Sequence, residues 1–198
     1  LISENKTKHL YTLSNTISNM ALITDYSQIQ EDFDRLYHDI TSQDFKAKVK
    51  ILGYPEIYNY THGRSAALQR GLLWISPKIW IREMPDYQMF YELAHEAGHS
   101  TKPYFENTSL EAEETKACLF QHLFSQRIKA ENFEWLDDFV AFEAYRKDHI
   151  SRKDPKYIKY HNAAQHIANQ SDDNFARATQ HISSILKSAY LFSLILFD

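Results

Sequence analysis

The first clear hydrophobic pattern of the chain covers residues 25–40 and has the period of an α-helix. Its apolar side chains recur at intervals of three or four residues, so they would share one face of that helix. These positions are Ile29, Phe33, Leu36, Tyr37 and Ile40. The pattern predicts an amphipathic helix that buries this face in a core.

Three short segments after this helix carry the composition or alternation of β-strands. Residues 45–51 alternate apolar and basic side chains, which predicts a half-buried strand whose lysines face outwards. Residues 56–61 are a candidate second strand. Residues 71–76, closed by Pro77, form the clearest third strand. The outward lysines of the first strand would be Lys46, Lys48 and Lys50.

From Pro85 onwards the pattern is almost wholly helical. Residues 85–100 carry an apolar stripe at helical spacing, and Pro85 suits a first helical turn. Pro103 ends this helix. The predicted order is helix, small sheet, helix, then more helices, which is an α+β, mostly helical fold. We expect one domain over residues 1–198, with residues 45–125 as its core unit and residues 126–198 as a helical C-terminal part.

Composition and charge narrow the classes of function. The chain has 198 residues, of which 43% are hydrophobic and 24% charged, as in an ordinary globular protein. Its formal net charge is −4 without a dominant basic patch, so we expect no nucleic-acid partner. No apolar run is long enough to span a membrane, so we expect no membrane partner. Cys118 is the sole cysteine, which excludes an intrachain disulfide and fits a reducing compartment.

Residues 95–99 read H-E-x-x-H, the pattern with the most chemical content in the chain. Residues four apart on a helix lie one above the other, so His95 and His99 can reach one metal ion. Glu96 can then touch a water on that metal and serve as its base. Two nitrogen ligands, an open position and a carboxylate are the elements of a zinc peptidase site, so we expect Zn²⁺ as the cofactor.

A catalytic zinc ion usually takes a third protein ligand. Metzincins supply a third His after a Gly, but Lys102 and Phe105 occupy those two positions here, so that class is excluded. The remaining source is a Glu on the following helix, which Thr108 and Glu111 would begin as a capping box.

Two acids on that helix compete for the third position. Glu114 shares a face with the small residues Ala117 and Cys118, which would let the two helices pack closely. Glu113 instead shares a face with Ala117 and the phenylalanines that follow it. Glu114 is the leading candidate and Glu113 the alternative. Glu111 is disfavoured because capping would occupy it, and we interpret His122 as a partner or surface residue rather than a ligand.

These motifs resemble those of gluzincin-type zincin metallopeptidases, which carry H-E-x-x-H on one helix and Glu-x-x-Ala-Asp on the next. Residues 114–118 match the second motif except that Cys118 replaces its acid, which normally orients a ligand His. The resemblance covers about residues 45–125. It implies that His95, His99 and Glu114 bind zinc, that Glu96 is catalytic, and that the strand before the motif binds an extended peptide.

Two further resemblances bear on the biological role. The chain is rich in Asn, Gln, His, Lys and Tyr, and it resembles the effector metalloproteases that intracellular bacteria inject into host cells, including those that cleave actin. That implies a protein substrate, host actin, and action in the cytoplasm or in a host cytoplasm reached without a cleavable signal peptide. Antirestriction zincin domains share the sequence pattern of residues 91–95. The alternative function is therefore a binding or regulatory module without proteolytic activity.

An electrophile is also expected across the cleft from the metal, where it would stabilise the oxyanion. Candidates cluster in the C-terminal half, where the alternative is an ordinary amphipathic helix surface. They are Tyr157, Tyr160, His161 and His166.

Overall fold

Helices make up most of what the computed structural model describes, namely residues 21–53, 56–61, 66–69, 76–105, 109–153 and 155–195. The seven described α-helices are α1 (Gln30–Thr41), α2 (Tyr58–Thr61), α3 (Asp86–Ser100), α4 (Leu110–Ala130), α5 (Leu136–Lys153), α6 (Pro155–Gln170) and α7 (Phe175–Ile195), and a short 3-10 helix (Tyr26–Gln28) precedes α1. The strands are β1 (Lys48–Leu52), β2 (Ala66–Gln69) and β3 (Lys78–Arg82). The predicted α+β, mostly helical class is confirmed. No described helix has both the length and the apolar character needed to cross a membrane.

The three strands form one mixed sheet in the order β1-β3-β2. β1 runs parallel to β3, while β2 is antiparallel to it. Ile79 and Ile81 of β3 are fully buried on the inner face of the sheet. On β1, Lys48 and Lys50 are exposed, so the prediction of a half-buried strand with outward lysines is confirmed there.

The other two strand predictions are not confirmed: one is wrong, and the other falls almost entirely outside the described residues. Residues 56–61 do not form a strand, because their hydrogen bonds are local, as in the bond from the Thr61 amide to the Ile57 carbonyl, and they build the single turn α2. The predicted strand at 71–76 lies outside the described residues except for Ser76, which belongs to no strand. The pattern did not predict β2 or β3.

Aromatic rings fill the core between α1, α3 and α4. Phe33 of α1 is fully buried, and its ring centroid lies 5.0 Å from that of Phe124 and 6.0 Å from that of Phe90. Such tilted pairs contribute about 0.5–1.5 kcal/mol beyond the area they bury. The predicted apolar face of α1 is therefore the face that docks it on the other two helices.

Helices α3 and α4 approach most closely at Gly98. A Cβ atom added there would lie 2.8 Å from the Ala117 Cα atom and 3.0 Å from both the Ala117 carbonyl oxygen and the Phe120 Cβ atom. Only a residue without a side chain allows this backbone contact. The contact brings the first turns of α4 alongside the end of α3, where His95 and His99 lie.

We expect the Gly98→Ala variant to be destabilised by roughly 1–3 kcal/mol, because the added methyl group meets backbone that must move. The usual gain of about 1 kcal/mol from placing Ala in a helix offsets only part of this cost. Urea denaturation measures the change. Gly53→Ala is the matched control, since its nearest neighbour would be the flexible Glu83 carboxylate at 3.4 Å. Equal stability of the two variants would contradict the close contact.

Candidate metal centre

Helix α3 places His95 and His99 side by side on one surface. They are four residues apart, and their ring centroids lie 4.9 Å apart with the planes nearly perpendicular, at 87°. Both rings are half-buried, with 16% and 14% of their side chains exposed. Glu96 is also half-buried and follows His95 directly. The motif helix therefore presents two imidazoles and one carboxylate at the margin of the core.

Helix α4 brings Glu114 to this pair. The Glu114 Oε2 atom lies 3.5 Å from His95 Nε2 and 3.8 Å from His99 Nε2. One ligand atom from each of the three residues falls within 4.8 Å of the others, so the group could hold a metal ion. The close contact at Gly98 makes this convergence possible.

The spacing of these atoms can be compared with that of a tetrahedral zinc site. Ligands about 2.0–2.1 Å from a central ion lie about 3.3 Å from one another. The two distances to Glu114, 3.5 and 3.8 Å, are close to that value. Two imidazole nitrogens and one carboxylate oxygen are also a donor set that zinc uses in catalytic sites. His95, His99 and Glu114 therefore fit such an ion.

Glu113, the alternative third ligand, is engaged elsewhere. Its Oε2 atom accepts a hydrogen bond of 2.7 Å from the Phe105 amide, and its Oε1 atom lies 3.0 Å from Lys116 Nζ and 3.5 Å from His99 Nδ1. Burial alone would raise the pKa of Glu113, but His99, the Lys116 charge and the Phe105 amide lower that pKa to about 2. This carboxylate therefore faces the far nitrogen of His99 and leaves Nε2 directed towards Glu114.

Cys118 lies where the resembling families carry an acid, and it is completely buried. Burial lowers the pKa of His95, but its interactions with the Cys118 thiol and the Glu114 carboxylate outweigh burial and raise the pKa well above its usual value. Each histidine thus has an orienting partner, Cys118 for His95 and Glu113 for His99, which is how proteins fix ligand rings.

Lys116 is the main site residue that the sequence did not reveal. It is completely buried, and its ammonium group donates to the carbonyls of Thr101 at 2.7 Å and Pro103 at 2.9 Å besides facing Glu113. These bonds hold the segment after α3 against the start of α4. The only sequence signal was its spacing from Glu113, which matches an ion pair on one helix face.

We expect Lys116→Met to lower the free energy of unfolding by about 3–5 kcal/mol, because it leaves the Glu113 carboxylate buried without its counter-charge. Thermal or urea denaturation measures this change. The control is Lys159→Met, since Lys159 is exposed on α6 and such changes stay within about 0.5 kcal/mol. A loss below about 1 kcal/mol at Lys116 would contradict a structural ion pair.

The start of α4 differs from its prediction by one residue. The N-cap is Ser109, whose hydroxyl accepts from the Ala112 amide. Glu111 is therefore not the capping partner that the sequence suggested, and its side chain is exposed. Thr108, the predicted N-cap, lies outside the described residues. Glu111 takes no part in the cluster.

The predicted electrophiles on α6 divide into two groups. Tyr157 is half-buried, and its ring centroid lies 6.4 Å from that of His95 and 5.8 Å from that of Tyr160. His161 is half-buried one turn after Tyr157, whereas His166 is exposed. The structure therefore brings Tyr157 to the candidate centre, whereas His166 lies on the exposed surface of α6.

Comparison with known proteins returned no relatives. The chain matches no protein-family model, no curated protein and no solved structure. The interpretation of the centre therefore depends on the geometry of its own residues.

Proposed function

We propose that this chain is a zinc-dependent endopeptidase that hydrolyses peptide bonds of a specific protein substrate. One observation carries the proposal: His95, His99 and Glu114 converge on one point, with Glu96 beside them but outside the ligand group. This is the arrangement that the gluzincin resemblance implies.

The chain's own residues divide the work as follows. Zinc in this site would supply a Lewis acid that polarises the scissile carbonyl and lowers the pKa of water. Glu96 takes a proton from the attacking water and passes it to the leaving amine. Glu113 and Cys118 hold the two ligand rings in place. Tyr157 is the candidate donor to the developing oxyanion, since it contacts His95 from a separate helix.

The sheet offers a place for the substrate backbone. β2 lies at one edge of the described sheet and packs against α3. An extended peptide that pairs with a strand at this edge gains main-chain hydrogen bonds and passes beside the motif helix. In the proposal β2 takes the role that the sequence gave to residues 71–76.

The resemblance to injected effector proteases leads us to propose host actin as the substrate, with action in the cytoplasm of the producing cell or of a host. The test incubates the zinc-loaded chain with purified actin and with host and bacterial lysates, and labels new N-termini. We expect new termini in few proteins, their loss with chelator, and their return when zinc is restored.

The Glu96→Gln variant is the matched control, since it keeps the ligands. Identical termini from this variant, or none from the parent chain in any lysate, would contradict the proposal and favour a module that binds without cleaving. Rapid cleavage of casein would contradict a narrow substrate range.

A further inference from the structure

A cavity of about 200 Å³, partly open to solvent and with both polar and apolar surface, lies between helices α3, α4, α5 and α6. One water needs only about 10–15 Å³ of such volume, so the cavity can admit a group of several heavy atoms. Its lining includes Tyr91, Gln121, Glu143 and His161, which come from the four helices in turn.

The cavity adjoins the metal centre along two helices. Tyr91 precedes His95 by one turn of α3, and His161 follows Tyr157 by one turn of α6. One helical turn is about 5.4 Å, so the cavity begins within a side chain's reach of the ligands. A chain segment held at the metal could therefore extend a side chain into it.

The Tyr91 side chain, which belongs to the cavity lining, carries a polar group that no described residue satisfies. Tyr91 is only 2% exposed, and its buried hydroxyl has no hydrogen-bond partner among the described residues. A buried polar group without a partner costs about 1–3 kcal/mol, so such groups are usually satisfied by water or a ligand. Burial raises the pKa of this hydroxyl, which therefore stays protonated and can donate a hydrogen bond.

The charges at the cavity are already compensated. The Glu143 carboxylate accepts from Lys129 Nζ at 2.6 Å and from Lys147 Nζ at 2.9 Å. Burial would raise the pKa of Glu143, but these two ammonium groups lower it, so the acid is ionised and paired. The charged side chains of the lining are Glu143 and Lys147, which pair with each other, so a charged ligand would have to compete with one of them for the other.

The environment of the cavity lowers the pKa of both of its histidines, which favours their neutral form. Burial lowers the pKa of His161 to about 4, and burial together with Lys147 lowers the pKa of His122. A neutral imidazole offers one donor and one acceptor, and Gln121, which donates to the Tyr91 carbonyl at 3.0 Å, adds an amide. The lining therefore suits a group that both donates and accepts hydrogen bonds without carrying a charge.

We propose that this cavity binds an uncharged carboxamide side chain, such as that of glutamine or asparagine, from a peptide held at the metal centre. The inference names a substrate class for the proposed endopeptidase and so rests on that function. Binding to the cavity is nevertheless measurable without cleavage.

The first test is an NMR titration of the histidine-labelled, zinc-loaded chain with N-acetyl-glutamine amide. We expect shifts of the His122 and His161 ring signals, and weaker or no shifts with the norleucine, glutamate and lysine amides. Tyr91→Phe removes only the unpartnered hydroxyl, so it should fold with undiminished stability and bind the probe roughly 3- to 10-fold more weakly. Tyr26→Phe is the control, since Tyr26 precedes α1, donates its hydroxyl hydrogen to Asp34 on α1 and is outside the cavity lining.

The second test compares cleavage of peptides that carry glutamine or norleucine at each position near the scissile bond. We expect one position to favour glutamine, and Tyr91→Phe or His161→Phe to reduce that preference 3- to 10-fold. Probe binding without any cleavage would keep the cavity assignment and overturn the peptidase. Cleavage without a glutamine preference, a preference for charged side chains, or a cavity that no probe perturbs would each overturn the cavity assignment.

Discussion

Replacement of Glu96 by Gln is expected to slow cleavage on the order of 10²–10⁴-fold, the contribution that a general base makes. Gln keeps the size and hydrogen bonding of the side chain but cannot take the proton of the attacking water. Because Glu96 stands outside the ligand group, zinc content and stability should match those of the parent chain. Initial rates on an identified substrate, measured at equal zinc content, give the comparison.

Two outcomes would count against this role of Glu96. A Gln variant that cleaves at nearly the parental rate means that the activity belongs to a contaminant or that the zinc is structural. A variant that loses both zinc and activity means that Glu96 binds the metal. Glu111→Gln is the control, since Glu111 is exposed on α4 and should change neither quantity.

Replacement of Glu114 by Ala is expected to weaken zinc binding by more than 100-fold. Loss of a residue that only orients a ligand already costs about 10–100-fold in affinity, and loss of a ligand should exceed that. Glu113→Gln should stay within this smaller range, because Glu113 faces His99 Nδ1 and not the point where the three ligand atoms converge. Competition with a chromophoric chelator measures the zinc affinities of the parent chain and of the two variants.

The variant with the larger loss of zinc affinity identifies which of the two acids, Glu113 or Glu114, is the third ligand. A larger loss for Glu113→Gln than for Glu114→Ala would move the third ligand to Glu113. Glu113 also pairs with buried Lys116, so each variant needs a denaturation curve before its affinity is interpreted. Gln is used there because it preserves the bond from the Phe105 amide.

Long periodic segments of the chain were predictable from sequence, whereas short segments with non-local partners were not. The helices over 25–40 and 85–100 follow from apolar stripes three or four residues apart, and the structure places them at Gln30–Thr41 and Asp86–Ser100. Residues 56–61 have strand-like composition, but their backbone groups form local hydrogen bonds and build a helical turn instead. The strand β2 begins with two alanines and pairs with residues of β3 that lie 9 to 15 positions later in the chain, so its own sequence carries little signal for a strand.

The candidate centre shows the same division. The spacing of His95 and His99 on one helix fixes their proximity from sequence alone. The choice between Glu113 and Glu114 depends on how α4 rotates against α3, which the contact of Gly98 with Ala117 sets. The roles of Lys116 and Cys118 also depend on that packing, because their partners lie on or after α3. Tertiary geometry therefore supplied what helical periodicity could not.

Anomalous diffraction at the zinc absorption edge, from a crystal grown with one equivalent of zinc, tests the central claim most directly. We predict a single peak about 2.0–2.2 Å from His95 Nε2, His99 Nε2 and a Glu114 carboxylate oxygen. Glu96 should lie beside the peak without coordinating it. A peak held by Glu113, or no peak at His95 and His99, would contradict the account.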